Sequence, residues 1–260
     1  MKKITAVIFA HNEENNTKEC ITSAKFLTQE IIVIEIDSQD KTAEVAKESG
    51  AKTVPLTKTD YVEPARGFGI NQATTDWVLI LDADERLTKE LAEEVRNSLK
   101  DETITHYQIS RKNIFGKVKW LKHGGWWPDY QTRLINKKYF KAWPKEIHSS
   151  PIITGPIARL NNPLLHYFHG DLKTMVDKTI IFENIESDLL FKANRKTSSL
   201  TFFRKFLGEF YRRMFKRIGF LDGEIGIIES IYQAFSKTIT YLYLYEKQAK
   251  LAKKKKSRSI

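Results

Sequence analysis

Trp77-Val78-Leu79-Ile80-Leu81-Asp82-Ala83-Asp84-Glu85 is the stretch on which the fold turns. Five consecutive apolar residues, too few for a buried helix, read as a strand covered on both faces, the habit of a parallel sheet with helices on either side. Three acids in four positions follow at once. A period of two puts Asp82 and Asp84 on one face of the strand. Two carboxylates held that close repel each other unless a cation lies between them. Hard oxygen donors with open positions suit Mg2+ or Mn2+ better than zinc, and the carboxyl end of a parallel sheet is where open α/β folds bind ligands. The competing reading is that the acids simply open the next helix, since acids favour a first turn.

The flanking hundred residues support the sheet. Ile4–Ala10, Ile31–Ile36 and Lys52–Leu56 are short β-branched runs alternating with helical segments, the order of βαβ units. Cys20, Ala24 and Leu27 recur at helical spacing. Asp40-Lys41-Thr42 opens a helix that Gly50 can close. Glu63–Ala73 forms a short helix, and Leu91, Val95 and Leu99 mark the one after the acids. The expected class is therefore α/β with a mainly parallel, Rossmann-like sheet.

From 101 to 170 the chain changes character. Strand-like pieces at His106–Phe115, Gln131–Asn136 and Glu146–Ser150 are separated by Gly, Trp and Pro, a composition that shapes a pocket. Beyond 171 the chain is helical and basic, ending in Lys253-Lys254-Lys255-Lys256, expected to fray. The chain carries a formal charge of +11, yet residues 192–260 hold 17 Lys+Arg against 5 Asp+Glu, a local +12. The rest is close to neutral, which excludes a fold-wide nucleic-acid surface. One cysteine, Cys20, excludes a disulfide framework and suits a reducing cytoplasm. The opening MKKITAVIFA has the charge of a leader peptide but no cleavage motif, and reads as the first buried strand. No run reaches the roughly 18 apolar residues of a membrane span. The expected division is 1–190, with halves at 1–100 and 101–190, and a helical basic extension at 191–260.

The chain resembles family 2 glycosyltransferases, and within them lipopolysaccharide core β-glucosyltransferases. The matching residues are Ala10-His11-Asn12-Glu13-Glu14, Ser38-Gln39-Asp40-Lys41-Thr42, Asp76-Trp77, Leu81-Asp82-Ala83-Asp84-Glu85, Asp129-Tyr130-Gln131-Thr132-Arg133-Leu134, Ile147-His148 and Asp222-Gly223-Glu224-Ile225-Gly226. The resemblance implies a GT-A fold, a nucleoside diphosphate sugar donor (a UDP-sugar first), a divalent cation, and inversion at the anomeric carbon. It places Asp82 and Asp84 on the donor's ribose or diphosphate and on the metal, with Ala10 and Glu13 against the nucleoside. The base contact usual at the end of the second strand is an Asp; here Glu35 stands there, with Asp37 two residues on. The usual Ala-Arg-Asn is Ala65-Arg66-Gly67, which keeps Arg66 as a phosphate or base contact and loses the Asn.

Inverting transfer needs a base for the acceptor hydroxyl and positive charge for the departing diphosphate. Gly124-Gly125-Trp126-Trp127-Pro128-Asp129-Tyr130 offers aromatic faces for a sugar and one carboxylate. Asp129 is the first candidate base and Glu146 the second. Arg133 suits either a bidentate phosphate contact or a structural ion pair. His148 suits a third metal ligand, a diphosphate contact or a core histidine, and His166 and His169 are pocket candidates. Trp120 and Trp143 also read as core.

The basic tail interleaves Phe202, Phe203, Phe206, Tyr211 and Phe215 with arginines and lysines. This pattern suits the anionic inner face of a cytoplasmic membrane presenting a glycolipid acceptor, a packed helix with a solvated basic face, or a dimer contact. Nucleic acid is a poor partner, because no recognition motif accompanies the charge. A nucleotidyltransferase would want a glycine- and lysine-rich phosphate loop after the first strand, which His11–Asn16 lacks. A non-catalytic scaffold of the same fold would bind without turnover.

Overall fold

The computed structural model describes residues 2–168 and 172–256; His169 lies outside them. Along the chain run β1 (Ile4–Ala10), α1 (Glu14–Ala24), β2 (Ile31–Ile36), α2 (Thr42–Glu48), β3 (Lys52–Leu56), α3 (Glu63–Gln72), β4 (Trp77–Asp82), β5 (Glu85–Arg86) and α4 (Lys89–Ser98). There follow β6 (His106–Phe115), β7 (Lys119–Trp120), β8 (Asp129–Asn136), β9 (Phe140–Ala142), β10 (Ile152–Ile153), β11 (Ile157–Arg159) and β12 (Leu164–Phe168). The last helices are α5 (Leu172–Lys192), α6 (Ser199–Tyr211) and α7 (Glu224–Lys256). Two compact units result: residues 1–114 with 128–168, and residues 115–127 with 169–260.

In the sheet unit the strand order is β3-β2-β1-β4-β8-β6-β12-β5. The first four strands are parallel, and β8 returns antiparallel between β4 and β6. Alternation along β4 divides the core. Trp77, Leu79 and Leu81 join Cys20, Ile21 and Ala24 of α1 and Leu91, Ala92 and Val95 of α4. Val78 and Ile80 join Phe9, Ile34 and Ala65 and Ile70 of α3. By the same period Asp82 continues the second row, toward α3. Gly69 lets α3 approach that face, since a Cβ there would lie 2.5 Å from the Phe9 ring and 3.0 Å from Ile34. β9 and β10 form a small separate antiparallel pair.

In the helical unit, α7 packs along both α5 and α6. The 115–127 segment belongs to it. Buried Asp222 accepts hydrogen bonds from the backbone amides of Lys122 (2.9 Å) and His123 (2.7 Å) and contacts His123 Nδ1 at 2.8 Å. Gly226 sits where a Cβ would meet the Gly219 carbonyl oxygen at 2.1 Å, so the match to Asp222-Gly223-Glu224-Ile225-Gly226 marks a tight crossing.

Three sequence expectations change. β4 ends at Asp82 and Ala83-Asp84 form a turn, so the two aspartates do not share a strand face. Glu146–Ser150 contains a turn and no strand, with His148 at φ 59°. α7 is helical through Lys256 where fraying was expected. The compact units divide after Phe168, and the helical one takes in 115–127. Among the described residues no helix is long and apolar enough to cross a membrane.

Candidate active site

The site grows from the carboxyl end of β4. Asp82 meets two guanidiniums: Arg66 Nη2 at 2.7 Å from Oδ1, and Arg133 Nη2 at 2.7 Å from Oδ2. Arg133 Nη2 also lies 2.6 Å from Oε1 of Glu85, which is wholly buried and whose Oε2 accepts the Asp82 amide at 3.0 Å. Arg133 reaches this position because Tyr107 pairs with Leu134 but Gln108 with Thr132. Residue 133 is thus the extra one at a β-bulge, a device that re-aims a side chain. Burial alone would raise the Asp82 pKa, but the charges of Arg66, Arg133 and Arg111 outweigh it and hold the carboxyl well below the usual carboxylate range. Burial works against the charge on Arg133, and Glu85 and Asp82 reverse that and push its pKa up. Of the two roles open to Arg133, the structure realises the buried ion pair. Arg66 is buried as well, its guanidinium 4.7 Å from the Phe9 ring and 5.6 Å from Trp143.

Asp84 follows in the turn after β4. Its Oδ2 lies 3.5 Å from His166 Nε2. The hydrogen bonds behind His166 fix its tautomer. Asp129 Oδ2 accepts from Asn113 Nδ2 at 3.1 Å. A carboxylate ion-paired to Arg111 only accepts, so the Asn113 amide nitrogen faces Asp129 and its Oδ1 faces His166 Nδ1, at 2.6 Å. Nδ1 therefore carries the proton, and in the neutral ring Nε2 turns a lone pair toward the Asp84 carboxylate. Two lone-pair donors facing each other repel unless a cation joins them or the ring gains a second proton. A carboxylate and an imidazole oriented by a hydrogen-bonded partner fit a divalent cation that takes further oxygens from a ligand or water.

Asp129 is thereby occupied. Arg111 Nη2 (2.7 Å) and Nε (2.8 Å) grip its Oδ2, and Gln131 Nε2 donates to Oδ1 at 2.8 Å. Burial would raise its pKa, but Arg111 and the hydrogen bonds from Gln131 and Asn113 lower it. A general base needs the opposite shift. Glu146 sits exposed in the turn beyond Trp143. His148, also exposed, donates its backbone amide to Glu63 Oε1 at 2.8 Å. Among the described residues no three His, Cys, Asp or Glu side chains gather as a metal-holding group, so the expected set of Asp82, Asp84 and His148 is not assembled. His166 instead accompanies Asp84. The sequence offered His166 only as a pocket candidate; its partner became visible only when β12 paired with β5 beside Asp84.

The loops after β1 and β2 are laced together. Buried Ala10 ends β1. Asn12, at φ 52°, donates its amide to Ser38 Oγ (3.1 Å) and accepts from the Gln39 amide (2.7 Å). The Glu13 amide donates to Thr42 Oγ1 (2.8 Å), and its Oε2 accepts from Asn16. Asp40 caps α1 through the Glu14 amide at 3.1 Å. Glu35 Oε1 accepts the Ser38 amide at 2.5 Å, while Asp37, at φ 49°, is exposed. Glu35 lies in β2, next to its last residue, and Asp37 follows just beyond the strand. Trp126 and Trp127 belong to the helical unit, where Arg213 lies 5.5 Å from Trp126 and Trp120 meets Trp127 edge-on at 5.5 Å.

A parallel α/β sheet whose central strand runs out into an Asp-x-Asp turn, continued by an antiparallel return and helices, is a GT-A fold. The family model for glycosyl transferase family 2 matches residues 5–156. Among curated proteins, an uncharacterized glycosyltransferase of Rickettsia conorii is 30% identical over 96% of this chain and 92% of its own length. One of Rickettsia prowazekii is 30% identical over 91% and 85%. The Staphylococcus aureus TarS 1–349 structure, solved with UDP-GlcNAc, covers 96% of this chain and 92% of its own at 14% identity with a TM-score of 0.50, a likeness of fold. The chain belongs to glycosyl transferase family 2.

Proposed function

We propose that the chain is a divalent-cation-dependent, inverting glycosyltransferase. It moves a hexose, glucose first, from a UDP-sugar to a bacterial surface glycan or glycolipid such as lipopolysaccharide core. The observation that supports the reading is the Asp84–His166 pair, a carboxylate and an imidazole 3.5 Å apart just beyond the carboxyl end of β4, beside the buried Asp82–Arg66–Arg133–Glu85 network. Asp84 and His166 would hold Mg2+ or Mn2+, which when bound neutralises diphosphate charge. The nucleoside sits against Ala10, Glu13, Glu35 and Asp37 in the laced loops, with Arg66 and Asp82 at its phosphate side. Glu146 takes the base role, because the charges around Asp129 hold that carboxyl ionised and engaged.

The direct test is release of UDP from UDP-glucose in the presence of Mg2+ or Mn2+ and a heptose-containing acceptor, compared with Asp84→Asn. Turnover that survives this substitution, or that needs no cation, would sink the assignment. Donor binding without turnover would leave a scaffold of the same fold.

A further inference from the structure

All three long helices of the helical unit carry exposed large apolar side chains, and on α6 these fall along one line. In α6, Leu200, Phe203, Leu207 and Tyr211 are exposed, Leu200 at 72% and Phe203 at 65%, and Phe215 continues the row through the π-helical turn Arg212–Lys216. Spacings of three, four, four and four residues place them on one helical face. Other sides of α6 face α7: the Phe202 ring meets Tyr245 at 6.3 Å, and Lys205 lies 5.1 Å from the Tyr241 ring. The stripe is therefore the outward face. It spans roughly 22 Å at 1.5 Å per residue.

Its surroundings are cationic. Residues 189–221 contain nine Lys+Arg and one acid, Glu209, which is held by Arg212 and by Arg213 at 2.7 Å. Exposed Lys192, Arg195 and Lys196 precede the stripe, Arg204 lies beside it, and exposed Lys216 and Arg217 follow.

We propose that the outward face of α6 seats in the headgroup–acyl boundary of an anionic lipid bilayer. Aliphatic and aromatic side chains enter the boundary while basic residues at both ends meet lipid phosphates, the arrangement of a helix lying in the plane of a membrane. A second copy is the poorer occupant, since face-to-face packing would oppose two segments of net charge +8. Nucleic acid would engage the cations but leave Leu200 and Leu207 without a partner. The inference says where the proposed acceptor is met, but its support lies in the helical unit alone.

The test is sedimentation of the full chain with vesicles of phosphatidylcholine, alone or mixed with phosphatidylglycerol. The expected result is binding to the mixed vesicles at low salt, weakened by high salt. F203E combined with L207E should lower partitioning about ten-fold or more. K192Q with R195Q and K196Q should lower it by about the same factor. F203W should retain it. All these positions are exposed, and unchanged circular dichroism confirms that a loss is not unfolding. Wild-type protein that ignores mixed vesicles at low salt, or F203E/L207E protein that binds like wild type, overturns the proposal. So does a dimer, or an RNA complex, lost on F203E/L207E when no vesicle binding occurs. Vesicle binding without sugar transfer supports the docking face and counts only against the transferase reading.

Discussion

Two buried glutamates show how differently the two units handle charge. Glu85, in the sheet unit, is wholly buried with Arg133 at 2.6 Å and Arg111 at 3.7 Å. Glu229, in the helical unit, is 1% exposed, and its carboxyl is pushed up to about 7 by burial, against the Gln233 hydrogen bond and the more distant charge of Arg213. Around Glu85, Asp82 and Asp129, three arginines match three carboxylates. The sheet unit has an ion network built to hold one acid in place; the helical unit tolerates a buried acid by weakening its ionisation. A polar network on rigid strands is what a site for a charged ligand requires.

The largest effect should come from breaking that match. Arg133→Met leaves Glu85 buried without its nearest cation, and loss of one partner of a buried pair costs about 3–5 kcal/mol. Urea unfolding should show this loss, and adding Glu85→Leu should recover a large part of it. A single variant within 1 kcal/mol of wild type, roughly the range of an ordinary surface substitution, would mean the network is not structural. Next comes Asp84→Asn, which keeps the arginine pairs of Asp82, Glu85 and Asp129 in place. It should leave the melting temperature near wild type while transfer falls about 10²–10³-fold, measured as UDP release under saturating Mn2+.

These two sites also mark what could be read before folding. The parallel sheet was legible because β1, β2 and β4 are runs of apolar residues bounded by polar loops, a signal carried by neighbours in the chain. His166 and Glu85 were not assigned their roles, since these depend on the β12–β5 pairing and on a bulge that turns Arg133 inward. The 146–150 segment misled because Ile147 between polar residues mimics alternation, whereas His148 adopts positive φ in a turn. The Gly-Gly-Trp-Trp segment looked continuous with Asp129, yet the chain passes from one unit to the other between Trp127 and Pro128.

Glu229 sharpens the contrast through pH. Its folded pKa lies above the unfolded value of 4.5, so the folded state binds the extra proton between 4.5 and about 7. Its stabilising contribution is complete below 4.5 and is lost as pH rises through about 7. Glu229→Gln should therefore gain stability relative to wild type between pH 5 and pH 8, by at most roughly 3 kcal/mol. Melting temperatures at the two pH values decide it: an equal change at both would show that the carboxyl ionises in the helical unit as freely as in water.

The smallest expected effect probes the relay behind the cation pair. Asn113 passes the orientation of Asp129 to His166. Asn113→Leu removes the acceptor that fixes the Nδ1 proton, so the ring is free to place its proton on Nε2, where a cation would bind. Substituting such an orienting partner typically costs 10–100-fold in metal affinity. The Mn2+ concentration for half-maximal activity should rise by about that factor, while kcat at saturating Mn2+ changes far less. Asn113→Asp should not rescue it by restoring an acceptor alone, because it places a second carboxylate against Asp129. A fall in kcat with no change in Mn2+ dependence would instead assign Asn113 to the packing of β6, and leave Asp84 without the imidazole partner argued for it.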